Sequence, residues 1–468
     1  MAHPPMGGPG GTAVAPAPAG APAPMGPGPH PPPVRAAAWT EGMDRLRAGA
    51  TTEPGRLRII GAVLAALVVA FGAVTAWQVS DRASAADDVV SRSQPLSADA
   101  ASIYRSLADA DTSAASGFLA GAQEPPAVTK KYDEDIAEAS RLLVKAAANT
   151  AGTSASGRQI TLLNQQLPRY TGLIERARAN NRQGLPLGGA YLRYANEQMT
   201  TQLLPAAKRL YDEETDRLYR DYDDASTWPY LALGLGVVAL GTLGWAQRRN
   251  YRRTNRVFNQ GLLTATVASA AVLLWLAVGH ALASAGLEDS RAHGQESLRV
   301  LNDARISSLQ ARANENLTLV SRGAVSTKDG ADKYDADYTA GMKDLDARLA
   351  AAARLAEDRG GKDPVQRATK SVTAWKALHK EARDTDNQGN YDMALEKVTG
   401  EGNSTGTRFG EVDTALANAL EWEQREFTEA AEDGRGALSG LAVGAAVLAL
   451  LAAAGAVLGI GRRLSEFR

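Results

Sequence analysis

Cysteine is absent from all 468 residues. Disulfide staples and thiolate metal sites are therefore excluded, even if the chain faces an oxidising compartment. Histidine is nearly absent too: His3, His30, His280, His293 and His379 are scattered, and no two have the spacing of a ligand pair. There is no G-x-S-x-G, no phosphate-binding G-x-x-x-x-G-K, no HExxH and no EF-hand ligand series. Carboxylates are plentiful, as in Asp133-Glu134-Asp135, but such runs belong to solvated helix faces. We therefore expect no catalytic residue, no cofactor site and no metal site, and read the chain as a non-enzyme. A net charge of −1 offers no basic surface for nucleic acid.

What the chain does have is four uncharged apolar stretches, residues 59–80, 225–247, 257–287 and 436–461. Each is long enough to cross a hydrocarbon core, which takes roughly 20 helical residues. No Asp, Glu, Lys or Arg lies inside them. A transporter would be expected to carry such groups, and His280 alone, near the end of its stretch, is a poor proton relay. The polar segments between the first and second stretches and between the third and fourth are similar in length, so the layout of span, large domain, span is written twice. Arginine placement orients it. Arg248, Arg249, Arg252, Arg253 and Arg256 crowd the short connector, and Arg45, Arg47, Arg56 and Arg58 precede the first stretch. Both large segments instead meet their spans through acidic residues such as Asp81, Asp87, Asp223, Asp224, Glu432 and Asp433. Because Lys and Arg flanking short loops stay in the cytoplasm, both termini are expected inside and both large domains outside a plasma membrane.

The expected organisation is a Pro/Gly/Ala-rich disordered tail (1–34), a juxtamembrane amphipathic segment (35–58), and a first span (59–79). Then come an outer domain (80–228), a second span (229–246), the arginine connector (247–258) and a third span (259–284). A second outer domain (285–435), a fourth span (436–461) and a short basic tail (462–468) complete it. Residues 1–34 cannot bury enough apolar surface to offset their ordering entropy. Trp39, Met43 and Leu46 fall on one face of a short helix suited to a lipid surface or a partner.

Both outer domains read as helical bundles. Leu96, Ala100, Ile103, Leu107, Ala110, Ala114 and Gly117 alternate at spacings of four and three, as a bundle seam does. So do Tyr132, Ile136, Ala139, Leu143 and Ala146, and Ile160, Leu163, Leu167, Tyr170, Ile174 and Ala177. In the second domain Tyr338, Met342, Leu345, Leu349, Ala352 and Ala356 form one seam, and Val365, Ala368, Val372, Trp375 and Ala382 another. His379 falls on that last face as a hydrogen-bonded core residue. Arg305 and Arg312 sit where the first-helix seam is weak; surface salt bridging is the expectation, with a carboxylate clamp as the alternative. Local sequence repeats as well: Lys131-Tyr132-Asp133 with Lys333-Tyr334-Asp335, and Ala177-Arg178 … Gln183-Gly184 with Ala382-Arg383 … Gln388-Gly389. Each glycine follows a third helix, where a left-handed residue is wanted. The fold class is thus an all-α membrane protein with four transmembrane helices and two tandem four-helix bundles, a parallel duplication.

Chain direction places the loops. The outermost tip comprises Glu124, Pro125, Pro126, Gln183 and Gly184 in one half, and Lys328, Asp329, Asn387 and Tyr391 in the other, a landing site for an extracytoplasmic partner. Helix four joins tip to span, and Pro205 in the first half and Gly402, Gly406 and Gly410 in the second are candidate hinges. Trp39, Met43, Leu46, Arg248, Arg249, Arg252, Arg253 and Arg256 would form the cytoplasmic output surface, beside membrane lipid. Gly440-x-x-x-Gly444 and Gly455-x-x-x-Gly459, with Gly236 and Gly241, are candidates for close contact between spans.

Each half resembles the four-helix-bundle sensor domains of bacterial chemoreceptors and sensor kinases, and Asn387-Gln388-Gly389-Asn390-Tyr391-Asp392-Met393-Ala394-Leu395 looks like the turn into their fourth helix. The whole chain resembles more closely the GlnX family, actinobacterial membrane proteins of the glutamate-sensing system, through its proline-rich tail, four spans, two outer helical domains and basic connector. That resemblance implies a sensor of acidic amino acids, contacted outside by a solute-binding lipoprotein (GlnH) and inside by a soluble Ser/Thr protein kinase (PknG). It supplies no residue-level site. A homo-oligomer is compatible with the layout. The rival readings are a structural, envelope-organising membrane protein and an accessory subunit of a transporter.

Overall fold

The computed structural model describes residues 53–464 except 122, 255–259, 357 and 439. The tail, the proposed amphipathic helix with Trp39, Met43 and Leu46, and Arg256 lie outside the described residues. Two compact units are present: residues 1–59, described only from Glu53, and residues 60–468. The described chain is about 90% helical, and among the described residues the only β contact is an isolated bridge between Ser326 and Asp332.

The first half runs α1 (Glu53–Asp88), a π-helical turn (Val89–Ser93) and α2 (Gln94–Leu119) without interruption. It continues through α3 (Pro126–Asn149), α4 (Ala155–Arg182), α5 (Leu187–Gln198), a second π turn (Met199–Leu203), α6 (Leu204–Ser226) and α7 (Tyr230–Thr254). The second half repeats the order: α8 (Gln260–Asp289), a π turn (Ser290–Gln295), α9 (Glu296–Ser321), α10 (Lys333–Leu355), α11 (Arg359–Asn387), α12 (Tyr391–Thr399), α13 (Thr405–Leu438) and α14 (Leu441–Leu464). Both halves thus carry a π turn where a span passes into its first polar helix. Such turns hold one extra residue inside an otherwise continuous helix.

Local chemistry sets the ends of these helices. Pro126 opens α3, where its missing N–H is no loss. The Ser154 hydroxyl accepts from Gly157 N–H at 2.9 Å, the Asp332 carboxylate from Tyr334 and Asp335 N–H at 2.9 and 3.2 Å, and Asp358 from Gly361 N–H at 2.9 Å. Gly184 and Gly389 take φ of +66° and +83° just past α4 and α11, as the sequence predicts.

Among the described residues four helices are long and apolar enough to cross a membrane, making this a multi-pass membrane protein. They share one core: Leu64 and Val68 of α1, Leu243 and Ala246 of α7, Leu262, Ala265 and Ala268 of α8, and Ala452 and Ala456 of α14. Two spans approach backbone to backbone. A Cβ on Gly261 would lie 2.4 Å from the Gly455 carbonyl oxygen and 2.4 Å from Gly459 Cα. Gly444 is covered by Trp275 and Gly236 by Leu273 and Phe71. The expected glycine contacts are therefore made, except at Gly241 and Gly440, which meet open space. Where α6 gives way to α7, Arg82 donates from Nε to Thr227 O (2.6 Å) and from Nη2 to Trp228 O (3.3 Å), holding the non-helical break.

In the polar region every predicted seam position is buried, Ile136 only partly. The two bundles are not separate, however. The first helices of the halves, α2 and α9, lie side by side, and Arg105 Nη1 donates to Asn302 Oδ1 (3.1 Å), Thr112 Oγ1 to Leu309 O (2.8 Å) and Asn316 Nδ2 to Ser116 Oγ (2.8 Å). Ile306, Leu309 and Leu317 join the first-half core, while Val89, Leu218 and Tyr222 join the second-half core. α9 is consequently buried almost all round. Its weak apolar seam has this cause: its polar faces meet partners, not water.

Candidate sensor site and its buried polar networks

Polar groups enclosed this way must be hydrogen-bonded, and the first and third helices of each half supply the partners. In the first half Asp111 of α2 is fully enclosed; it accepts from Tyr170 OH of α4 (3.1 Å) and from Asn196 Nδ2 of α5 (2.7 Å). No cation reaches it among the described residues. Burial raises its pKa to about 6, although both hydrogen bonds oppose the rise. Beside it, Lys131 bridges Asp109 (2.6 Å) and Asp135 (2.8 Å), and burial together with the Asp109 charge lifts Asp135 to about 7.

The second half places Glu315 of α9 in the corresponding interior and surrounds it differently. Trp375 Nε1 of α11 donates to it at 3.1 Å, Arg312 Nη1 at 2.5 Å, and His379 Nδ1 lies 2.9 Å away. Burial opposes its charge, but Arg312 and His379 outweigh burial and hold Glu315 below the ordinary range. His379 also reaches Asp335 through Nε2 (3.2 Å) and stacks on Tyr338 at 3.6 Å. Burial disfavours its charge, yet the two carboxylates win and its pKa is raised. His379 is thus the hydrogen-bonded core residue expected.

Arg305 and Arg312 differ from expectation. Neither is a surface salt bridge, and neither is open to a ligand. Arg305 is largely enclosed and grips Asp413 of α13 through Nε (2.6 Å) and Nη2 (3.0 Å). Arg312 is buried; besides Glu315 it donates from Nη1 to Thr405 Oγ1 (2.9 Å) and from Nη2 to Val398 O (3.1 Å). Spacing along one helix could not reveal that α12 and α13 of the same half cover that face.

Arg312 therefore bolts the two sides of a break in helix four. α12 ends at Thr399, residues 400–404 are non-helical, and Gly402 has φ of +87°. Of the three candidate hinge glycines only Gly402 lies in this break. Ser404 Oγ accepts from Thr407 N–H (3.2 Å), so the helix restarts at Thr405, with Gly406 in its first turn and Gly410 inside it. In the first half the same helix is not broken: Pro205 follows the π turn at Met199–Leu203, near the start of α6.

Of the tip residues, Glu124, Pro125, Gln183, Gly184, Lys328 and Asp329 lie between helices and Pro126, Asn387 and Tyr391 at helix ends, with three different fates. Pro125, Pro126, Gln183, Gly184, Lys328, Asp329 and Asn387 are exposed. Tyr391 is half-buried beneath the Arg322 guanidinium, 3.7 Å from its ring centroid. Glu124 turns inward. Its Oε1 accepts from Arg178 Nη2 (3.0 Å), while Arg178 also pairs with Glu175 (3.1 Å) and lies over the Tyr132 ring at 4.2 Å. Gly117 permits this fold, since a Cβ there would stand 2.3 Å from the Glu124 carboxylate. A cleft of about 360 Å³ opens at this point between α2, α3 and α4. At the other end of the chain's spans, Arg248 and Arg252 are exposed and Arg249 lies over Trp245 at 5.4 Å. Arg253 falls within α7.

No group of His, Asp or Glu able to hold a metal ion occurs among the described residues. Residues 85–223 match a protein-family model described as an actinobacterial sensor domain. The match covers the first polar bundle from just before its π turn to near the end of α6 and supports a sensor-type actinobacterial protein. No curated protein and no solved structure matches the chain.

Proposed function

We propose that this chain is a transmembrane signal-transducing sensor. Its polar bundles stand outside the plasma membrane, and both termini and the arginine connector stand inside. A solute-binding protein carrying news of an external solute, acidic amino acids by the resemblance above, docks on the tip loops. Movement passes down the helices to the spans and changes what a cytoplasmic Ser/Thr kinase meets at Arg248, Arg249 and Arg252. The observation that carries this reading is the match to a sensor domain on a bundle whose first helix is continuous with a membrane span. At roughly 1.5 Å per residue such a helix transmits displacement over tens of ångströms without a flexible joint.

Photo-cross-linkers at Gln183 and Asn387 in intact membranes test the docking step. Adducts to a solute-binding protein that change with its solute load are expected; load-independent labelling, or none, refutes the relay. Sidedness is tested separately by reporter fusions near Asn149 and Gly361, which should be active only outside the cytoplasm.

A further inference from the structure

The cleft beside Glu124 holds two charges that the fold leaves over. Asp133, on α3, and Arg182, at the end of α4, both line it and both are exposed. Neither has a hydrogen-bond or ion-pair partner among the described residues, although their neighbours Arg178, Glu124 and Glu175 pair with one another. The repeat shows that this is not forced by the bundle. Asp335 occupies the position of Asp133 in the second half, and there it is tied down by His379 Nε2 (3.2 Å) and by Arg383 (3.3 Å), the counterpart of Arg178. The first half instead puts Ile174 where His379 stands, and satisfies Arg178 with a loop residue. Its Asp133 is freed to face the cleft.

The remaining wall suits recognition. Phe118 supplies an apolar surface, and the Asn181 amide fixes the floor by donating to Phe118 O (3.0 Å) and Gly121 O (3.3 Å). The volume, about 360 Å³, is that of a small-molecule site. One unpaired carboxylate and one unpaired guanidinium in the same cleft complement a ligand bearing one charge of each sign, because a charge-assisted bond forms at either end. A purely anionic or purely cationic ligand would leave one of them unanswered.

We infer that the cleft binds an amino-acid-sized zwitterion directly, its acid group on Arg182 and its ammonium on Asp133. This goes beyond docking of a binding protein, since the sensor itself would then read a small molecule.

The test is calorimetric titration of the full chain in nanodiscs with each of the twenty common L-amino acids, and with pentanoate and pentylamine as single-charge probes. At least one amino acid should bind saturably, and at least tenfold more tightly than either probe. Asp133→Asn should weaken that amino acid about tenfold and erase its advantage over pentanoate; Arg182→Gln should do the same against pentylamine. Both residues are exposed and hold no ion pair among the described residues, so helicity and thermal midpoint should stay put and serve as the folding control. Absence of saturable binding by every amino acid overturns the inference, as does binding that neither substitution alters. Because the titration uses the isolated chain, it succeeds or fails independently of the relay read by cross-linking.

Discussion

The two halves make the same bond and give it opposite electrostatics. In each, an aromatic of the third helix donates to a carboxylate of the first: Tyr170 to Asp111, Trp375 to Glu315. Around Asp111 there is only an amide, and the group is poised to take up a proton at about pH 6. Around Glu315 stand Arg312 and His379, and the carboxylate stays ionised. Duplication has therefore kept a structural bond while letting its charge state diverge. One buried carboxylate is held ionised by its cationic neighbours and the other is left to titrate.

Breaking the pinned side should have the largest effect. Arg312→Met leaves Glu315 buried with His379 as its remaining cationic neighbour, and removal of one member of a buried pair costs about 3–5 kcal/mol. In the first half, Arg178→Met strands Glu124 and the exposed Glu175, which water reaches, and should cost about 1.5–3 kcal/mol. Denaturant titration in detergent micelles checks both. Equal losses would erase the proposed difference between the halves.

The titratable side is sharpened by pH. Asp111 has a folded pKa raised from 3.8 to about 6, so the native state binds more protons between those values. The Asp111 contribution then falls as pH rises from about 4 to about 6 and is level above, by about 3 kcal/mol in all at 1.36 kcal/mol per unit, while that of Asp135, lifted to about 7, declines on past it. Asp111→Asn should flatten this slope. The second half behaves otherwise. Glu315 and Asp335, held low, stabilise above their ordinary values and lose that contribution on acidification. His379, held high, stabilises below 6.5 and loses its contribution as pH climbs through its raised value. Hydrogen exchange should accordingly show protection around Tyr170 declining from pH 4 to 6 while that around Trp375 is kept.

Periodicity and charge made the architecture legible. Apolar residues spaced at four and three mark the helix faces that end up buried, and arginine clusters mark the short connector. Two facts were not legible. The seams state which face of a helix is buried but not by which neighbour, so α2 and α9 reading as members of separate bundles concealed their common interface. Chain direction alone puts Glu124 on the tip; its inward turn depends on Gly117 of α2 and Arg178 of α4, far apart in sequence and unrelated by spacing. The cleft followed the same rule. Lys131-Tyr132-Asp133 repeats as Lys333-Tyr334-Asp335, yet Asp335 is paired by a helix about 40 residues away while Asp133 has no partner among the described residues.

In the spans, contact and open glycines offer a smaller contrast. Gly261→Val drives a side chain into the backbone of α14, where neither Gly455 O nor Gly459 Cα can yield, and overpacking of this kind costs about 1–3 kcal/mol. Gly241→Val, with nothing within 4 Å, should leave stability unchanged. Thermal melts of the two variants separate them, and matching melts would mean that the spans are not tightly packed at α8 and α14.

The smallest expected effect bears most directly on how the halves move. Helix four is continuous through a π turn in the first half and interrupted at residues 400–404 in the second. Gly402 sits at φ +87° with empty space around its missing Cβ, so Gly402→Ala meets only the backbone penalty of a left-handed L-residue, about 1–2 kcal/mol. Gly410 lies inside α13, also in open space, and Gly410→Ala should stabilise by about 1 kcal/mol through helix propensity. Gly406 is different again: its Cβ would stand 3.0 Å from Arg312 Nη2 and from Val398 O, crowding the bolt across the break. Opposite signs at Gly402 and Gly410 would show that the interruption, not glycine content, defines the joint. If the break is a hinge, Gly402→Ala and Gly406→Ala should also change tip-dependent cross-linking of the spans, while Gly410→Ala leaves it as it was. A response to Gly410→Ala equal to that of Gly402→Ala would place flexibility along the whole helix and remove the distinction between the halves.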